Sequence, residues 1–276
     1  MKFLHLLAVV AALFLVSCSG NQSGDTVTQS HDTITTASGL KYYYLTKGTG
    51  RQIEEKSEVS AYLELMVNDS VIWTTANPKD SLFVFYPGYD QLIKGFTEVS
   101  LLLKEGDEVV AIMPDSIAYG DQGAGELIPP NTTVVYNPMR IVKVTEPKIP
   151  LSESLYNSYG EGGLETMIEN FETATTVDTA KYIHGVKEIF VFWEKLSIEE
   201  RHADAALVAS YFGERQNEVR LKYSAVLSYE SMGDFEKAKE ALLVINEEMP
   251  NVPLVQQKLM ELEEKMAGGS AEAPAE

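Results

Sequence analysis

The chain has 276 residues, 45% of them hydrophobic and 23% charged, which is enough apolar material for packed cores and more length than one ordinary domain needs. Its 22 Lys and Arg against 41 Asp and Glu leave a formal net charge of −19. That balance argues against nucleic acid as a partner, because the side chains that neutralise phosphates are in deficit, and against electrostatic adhesion to anionic lipid.

At the start of the chain, Lys2 precedes an apolar run over residues 6–16. The run is too short to span a bilayer and has the length of the apolar core of an export signal. It ends Leu15-Val16-Ser17-Cys18, which resembles a bacterial lipobox. The resemblance implies that residues 1–17 are a lipoprotein signal peptide and that the thiol of Cys18 carries a diacylglycerol anchor. It implies a membrane-anchored protein of the bacterial cell envelope, and Ser19 is compatible with sorting to the outer membrane. A cleaved secretory signal with an incidental cysteine is the alternative. Cys18 is the only cysteine, so no intrachain disulfide can form. Residues 18–38 are mostly Ser, Thr, Gly, Gln, Asn and Asp without apolar periodicity and predict a flexible tether, with a short edge strand over 33–36 as the alternative.

Residues 39–147 predict strands. Residues 41–46 contain three consecutive tyrosines and are β-prone, and strands over 59–67 and 71–75 flank an Asn68-Asp69-Ser70 turn. A short aromatic strand over 82–86 ends at Pro87-Gly88, and helix is predicted only over 92–103. After a Lys104-Glu105-Gly106-Asp107 turn come strands over 108–113 and 134–144. Pro138 falls inside the last strand, where a missing N–H predicts a bulge, and the apolar positions shift accordingly from Val134 and Tyr136 to Met139 and Ile141. With no alternating strand and helix units, this half is α+β with an antiparallel sheet wrapped on a short helix.

After a predicted linker over residues 148–160, the period changes from two to 3.6. Apolar faces such as Tyr182, Val186, Ile189, Phe190, Trp193 and Leu196, and Phe235, Ala238, Leu242, Ile245 and Met249, predict about six helices over 161–266. Tyr229, Gly233, Asp234, Phe235, Ala238, Leu242 and Pro250 resemble one tetratricopeptide unit in type and spacing, and one unit needs stacked neighbours to bury its face. The resemblance implies an all-α domain of helix pairs able to bind a protein partner; a simple helical bundle is the alternative. Residues 267–276 predict a disordered acidic tail.

The segment 118–130, Ala-Tyr-Gly-Asp-Gln-Gly-Ala-Gly-Glu-Leu-Ile-Pro-Pro, follows the apolar stretch Leu92-Ile93-Lys94-Gly95-Phe96. Together they resemble the active-site edge of FKBP-type peptidyl-prolyl isomerases, over about residues 39–144. The resemblance implies action on X-Pro bonds of polypeptides, with no cofactor and no metal. It assigns Phe96 to the floor beneath the proline ring, and the Ile128 N–H and the Tyr119 hydroxyl to donation toward substrate carbonyls. It places Tyr62, Trp73, Thr74, Phe83, Leu92, Ile93 and Tyr136 around the substrate. Thr74 stands where the family commonly has aspartate, and Trp73 is bulkier than the usual phenylalanine. A folding helper for envelope proteins is therefore expected; a lipid-anchored binding scaffold with a vestigial pocket is the alternative.

Overall fold

The computed structural model describes residues 32–76 and 82–269. The lipobox, most of the tether and the end of the tail lie outside the described residues. In the first half, strands β1 (Ile34–Thr35), β2 (Lys41–Thr46), β3 (Ser57–Val67), β4 (Ser70–Thr74), β5 (Phe83–Phe85), β6 (Glu108–Met113) and β7 (Val134–Pro147) form one antiparallel sheet. Its order is β1-β2-β6-β7-β3-β4, and β5 pairs with the N-terminal half of β3 beside β4. The short helix α1 (Lys94–Leu102) lies on the sheet, as the α+β reading expected.

Strict alternation builds this half. Along β3 every odd-numbered residue from Ser57 to Val67 is buried and every even-numbered one is partly exposed, because successive side chains of a strand point to opposite faces. The β3–β4 turn is tight, with Asn68 and Asp69 both at positive φ (48° and 61°), as a two-residue hairpin whose twist matches its strands requires. On β7 the register against both neighbours slips between Tyr136 and Met139. Val134, Tyr136, Met139 and Ile141 all remain buried across that bulge. Gly95 lets α1 approach β6 closely: a Cβ there would stand 3.0 Å from side-chain atoms of Met113 and Ile117. Phe96 and Val99 of α1 thereby join Leu63, Phe85, Leu103, Met113, Met139 and Ile141 in one core.

The second half is helical and starts earlier than its sequence suggests. Strand β8 (Ile149–Pro150) runs straight into helix α2 (Leu151–Thr176) and pairs in parallel with strand β9 (Tyr182–Ile183). Residues 151–160, expected as linker, are therefore helix, because Leu151, Leu155 and Tyr159 recur at spacing four and are buried against Phe192 and its neighbours. Gly163, with φ 71° and ψ −154°, breaks α2 into two segments. Tyr182 sits in β9, not on the following helix.

Helices α3 (Val186–Ile198), α4 (His202–Arg215), α5 (Val219–Ser231), α6 (Phe235–Glu248) and α7 (Pro253–Gly269) follow. Connections of three or four residues fold each of α4 to α7 onto its predecessor. Gly233 at positive φ ends α5, and the Asp234 carboxylate accepts the Lys237 N–H to open α6. The apolar residues form two clusters, one spanning α2 to α5 and a smaller one spanning α5 to α7. α7 extends to Gly269, so the predicted tail begins in helix. At the other end, β1 lies in the segment read as tether: Ile34 and Thr35 pair with Tyr42 and Lys41 on the sheet edge. Among the described residues no helix is long and apolar enough to cross a membrane.

Candidate active site

Between α1, the ends of β3, β4 and β5, and the segment leading to β7 lies a cleft of about 340 Å³. That is the small end of the range for small-ligand sites, roughly 300–1,000 Å³. Phe96 forms its floor. The ring is 2% exposed and meets Phe85, Tyr136 and Phe83 edge-on at centroid distances of 5.0, 5.1 and 6.1 Å. Phe83 in turn meets Trp73 edge-on at 5.9 Å, and Trp73 stands 43% exposed at the rim. These pairs use the attraction of ring edges for ring faces, so the walls hold one another in place.

Leu63 and Leu65 of β3 and Gln91, Leu92 and Ile93 of the β5–α1 loop complete the lining with Tyr119. Ile93 caps α1 in an extended conformation, which turns the chain from the lining loop into the helix that carries Phe96. Among the described residues, the polar side-chain atoms at the cleft belong to the Tyr119 and Tyr136 phenols, the Gln91 amide and the Trp73 indole. Burial, and then the neighbouring Tyr119 phenol, push the Tyr136 hydroxyl well above its ordinary value of 10, so it remains protonated. Among the described residues no three His, Cys, Asp or Glu side chains converge in a way that could hold a metal ion.

The 118–130 segment is a closed loop. Gly123 donates to the Tyr119 carbonyl at 3.1 Å, and Ala124 and Ile128 exchange backbone hydrogen bonds of 2.8 and 3.2 Å. Gly123 is required here, since its φ is +64° and a Cβ would stand 2.2 Å from the Ile128 carbonyl oxygen.

Of the residues expected at the site, Phe96, Tyr119, Trp73, Phe83, Leu92, Ile93 and Tyr136 meet around the cleft, and three do not. Tyr62 is on the opposite face of β3, where its hydroxyl donates to Glu64 at 2.7 Å and Arg140 stacks at 5.1 Å from its ring. Thr74 is also turned away, because Trp73 beside it faces the cleft; its hydroxyl accepts from the Ala76 N–H at 3.0 Å. The buried threonine is Thr75, which binds the Leu63 backbone. Ile128 is buried in the core, and its N–H is engaged with Ala124. Leu63, Leu65 and Gln91 were not anticipated. For the two leucines the signal was present: Val59, Ala61, Leu63, Leu65 and Val67 alternate in the sequence and place Tyr62 on the other side.

Residues 49–137 match the profile of the FKBP-type peptidyl-prolyl cis-trans isomerase family. The matched stretch lies within the strand-rich half, which is thus similar to FKBP-type domains. A probable FKBP-type isomerase, FkpA, of Neisseria meningitidis serogroup B is 35% identical over 114 residues, which cover 41% of this chain and 41% of that protein. The macrophage infectivity potentiator of Trypanosoma cruzi is 30% identical over 109 residues, covering 38% and 54%. Among solved structures, FkpA from Escherichia coli aligns with 24% identity and a TM-score of 0.38, over 41% of this chain and 51% of that one. The chain spans about half the length, or less, of the curated relatives it matches.

Proposed function

We propose that the full chain is a peptidyl-prolyl cis-trans isomerase acting on proline-containing polypeptides. The observation that carries this reading is the cleft itself: an aromatic floor and walls around Phe96, with neutral hydroxyls as donors. Rotation about an X-Pro bond is opposed by amide resonance worth roughly 18–20 kcal/mol. The reaction makes and breaks no covalent bond and needs no nucleophile. What lowers the barrier is tighter binding of the twisted amide than of either planar form.

An apolar floor under the pyrrolidine ring holds the ring while the preceding carbonyl swings. Loss of resonance draws charge back from that oxygen to the nitrogen, so the planar, charge-separated amide loses most on entering a dry pocket. The Tyr119 hydroxyl supplies a fixed donor to a neighbouring carbonyl of the substrate. The Ile128 N–H becomes a second donor if a substrate carbonyl replaces Ala124 on it, and its 3.2 Å bond is the longer of that backbone pair.

A lipid anchor at Cys18, a place in the bacterial cell envelope and a tetratricopeptide-like partner surface on the helical half complete the proposal. They make the protein a folding helper for exported or envelope proteins. The decisive experiment is cis-trans exchange of an X-Pro tetrapeptide with the purified full chain. Accelerated exchange is expected. An unchanged rate, with peptide binding retained, would establish the binding module instead.

A further inference from the structure

The loop from β5 to α1, residues 86–93, has two working sides. Its inner end, Gln91 to Ile93, lines the cleft. Its outer side is held by the helical half. The Tyr89 hydroxyl donates to Glu188 Oε1 at 2.6 Å, and Lys187 Nζ pairs with Asp90 Oδ1 at 3.0 Å while lying 4.7 Å from the Tyr89 ring centroid.

Glu188 is 1% exposed. A buried carboxylate is costly unless its oxygens are filled. Besides Tyr89 it has the N–H and hydroxyl of Ser152, which donate to Oε2 at 3.1 and 2.8 Å. Ser152 lies in the first turn of α2, so the carboxylate also fills an otherwise unpartnered donor at a positive helix end. One side chain thereby ties α2, α3 and the loop together.

The loop cannot absorb a displacement of that contact. Asp90 Oδ2 accepts the Tyr86 N–H at 2.9 Å, Asp90 N–H returns to the Tyr86 carbonyl at 2.9 Å, and Leu92 N–H donates to the Asp90 carbonyl at 2.9 Å. A shift of Tyr89 and Asp90 therefore carries Leu92 and Ile93 with it. We infer that the helical half sets the shape of the cleft, with Glu188 and Lys187 as positioning residues that act through Tyr89 and Asp90. The kinetic part of this inference rests on the isomerase reading above; the mechanical part does not.

The test compares the full chain with its Tyr89→Phe, Lys187→Ala and doubly substituted variants, which sever the contacts while keeping Glu188 and its bonds to Ser152. Two quantities are read: amide exchange over 86–93, and the split of tetrapeptide turnover into KM and kcat. In the double variant exchange over 86–93 accelerates about tenfold while β3, β6 and β7 keep theirs, and KM rises roughly fivefold with kcat held within about twofold. Loss of kcat at constant KM, faster exchange in the sheet as well, or an unaltered KM in spite of a loosened loop would each overturn the inference. A wild-type chain without isomerase activity overturns the proposed function alone. Exchange over 86–93 then decides: acceleration confined to the loop upholds the clamp, and unaltered exchange removes it.

Discussion

Two tyrosines of the cleft illustrate how little chemistry its residues are asked to do. Tyr119 is a partly buried donor, and Tyr136, pressed against Phe96, is shut away from water and stays neutral far above its usual range. Tyr119→Phe keeps the ring and removes the donor; we expect kcat/KM for a tetrapeptide to fall about tenfold or more with the melting temperature hardly moved. Among the described residues the cleft's ionisable side chains are tyrosines, and raising the Tyr136 value keeps it protonated as pH rises. The kcat/KM profile should therefore be flat between about pH 6 and 9. A bell-shaped profile would mean that a titrating group had been overlooked. Phe85, fully buried and in edge contact with Phe96, behaves differently. Phe85→Ala should cost about 3–5 kcal/mol in denaturant unfolding through the lost area and the cavity left behind.

At the level of elements, the sheet and the helices depend on different things. β3 is the long central partner, bonded to β4, β5 and β7, so its alternation fixes which side chains face the cleft. The terminal helix is held by charge as much as by packing. Glu230 on α5 accepts from Lys258 and Lys265 of α7 at 2.8 and 2.9 Å. Burial alone would raise the Glu230 carboxyl, but the two lysines outweigh it and hold the group below its ordinary value of 4.5. A carboxylate whose folded value is depressed stabilises the fold above its unfolded value, and that stability is lost as pH falls through the folded one. α7 should thus loosen from α5 below about pH 4.5, seen as faster amide exchange in α7 at pH 3 than at pH 6 while β3 and β7 keep theirs.

Over the whole molecule, three apolar clusters divide the work of stability unequally. The sheet domain has one continuous core, whereas α5 to α7 share the smallest cluster, with Val226, Ala238, Leu242, Ile245, Val255 and Leu262 at its centre. Native-state amide exchange should rank them, with the centre of β3 slowest and α6 and α7 fastest. The halves meet through bonds as well as through the chain: Lys148 Nζ lies 2.7 Å from Glu58 Oε2, which also accepts from the Tyr86 hydroxyl at 2.9 Å. A rank order with the α2 to α4 helices opening before α6 and α7 would contradict this distribution.

The amino-acid sequence by itself determined the fold class and the strand-then-helix order, because these rest on local signals: period two against period 3.6, and turn residues; the Phe96 and 118–130 neighbourhood was legible only through its resemblance to a family. It misplaced what depends on partners distant in the chain. Tyr62 has the right residue type for an aromatic wall, but the parity of β3 against its buried face turns it outward and brings in Leu63. Thr74 fails for the same reason, one strand over. Residues 151–160 hold three serines and end in Gly160, and they read as linker until Phe192 supplies something to pack on. Glu188 could not be singled out at all: it is one of 41 acidic residues. Only tertiary structure brings it beside Tyr89 and Ser152, sequestered from water and filled by their donors.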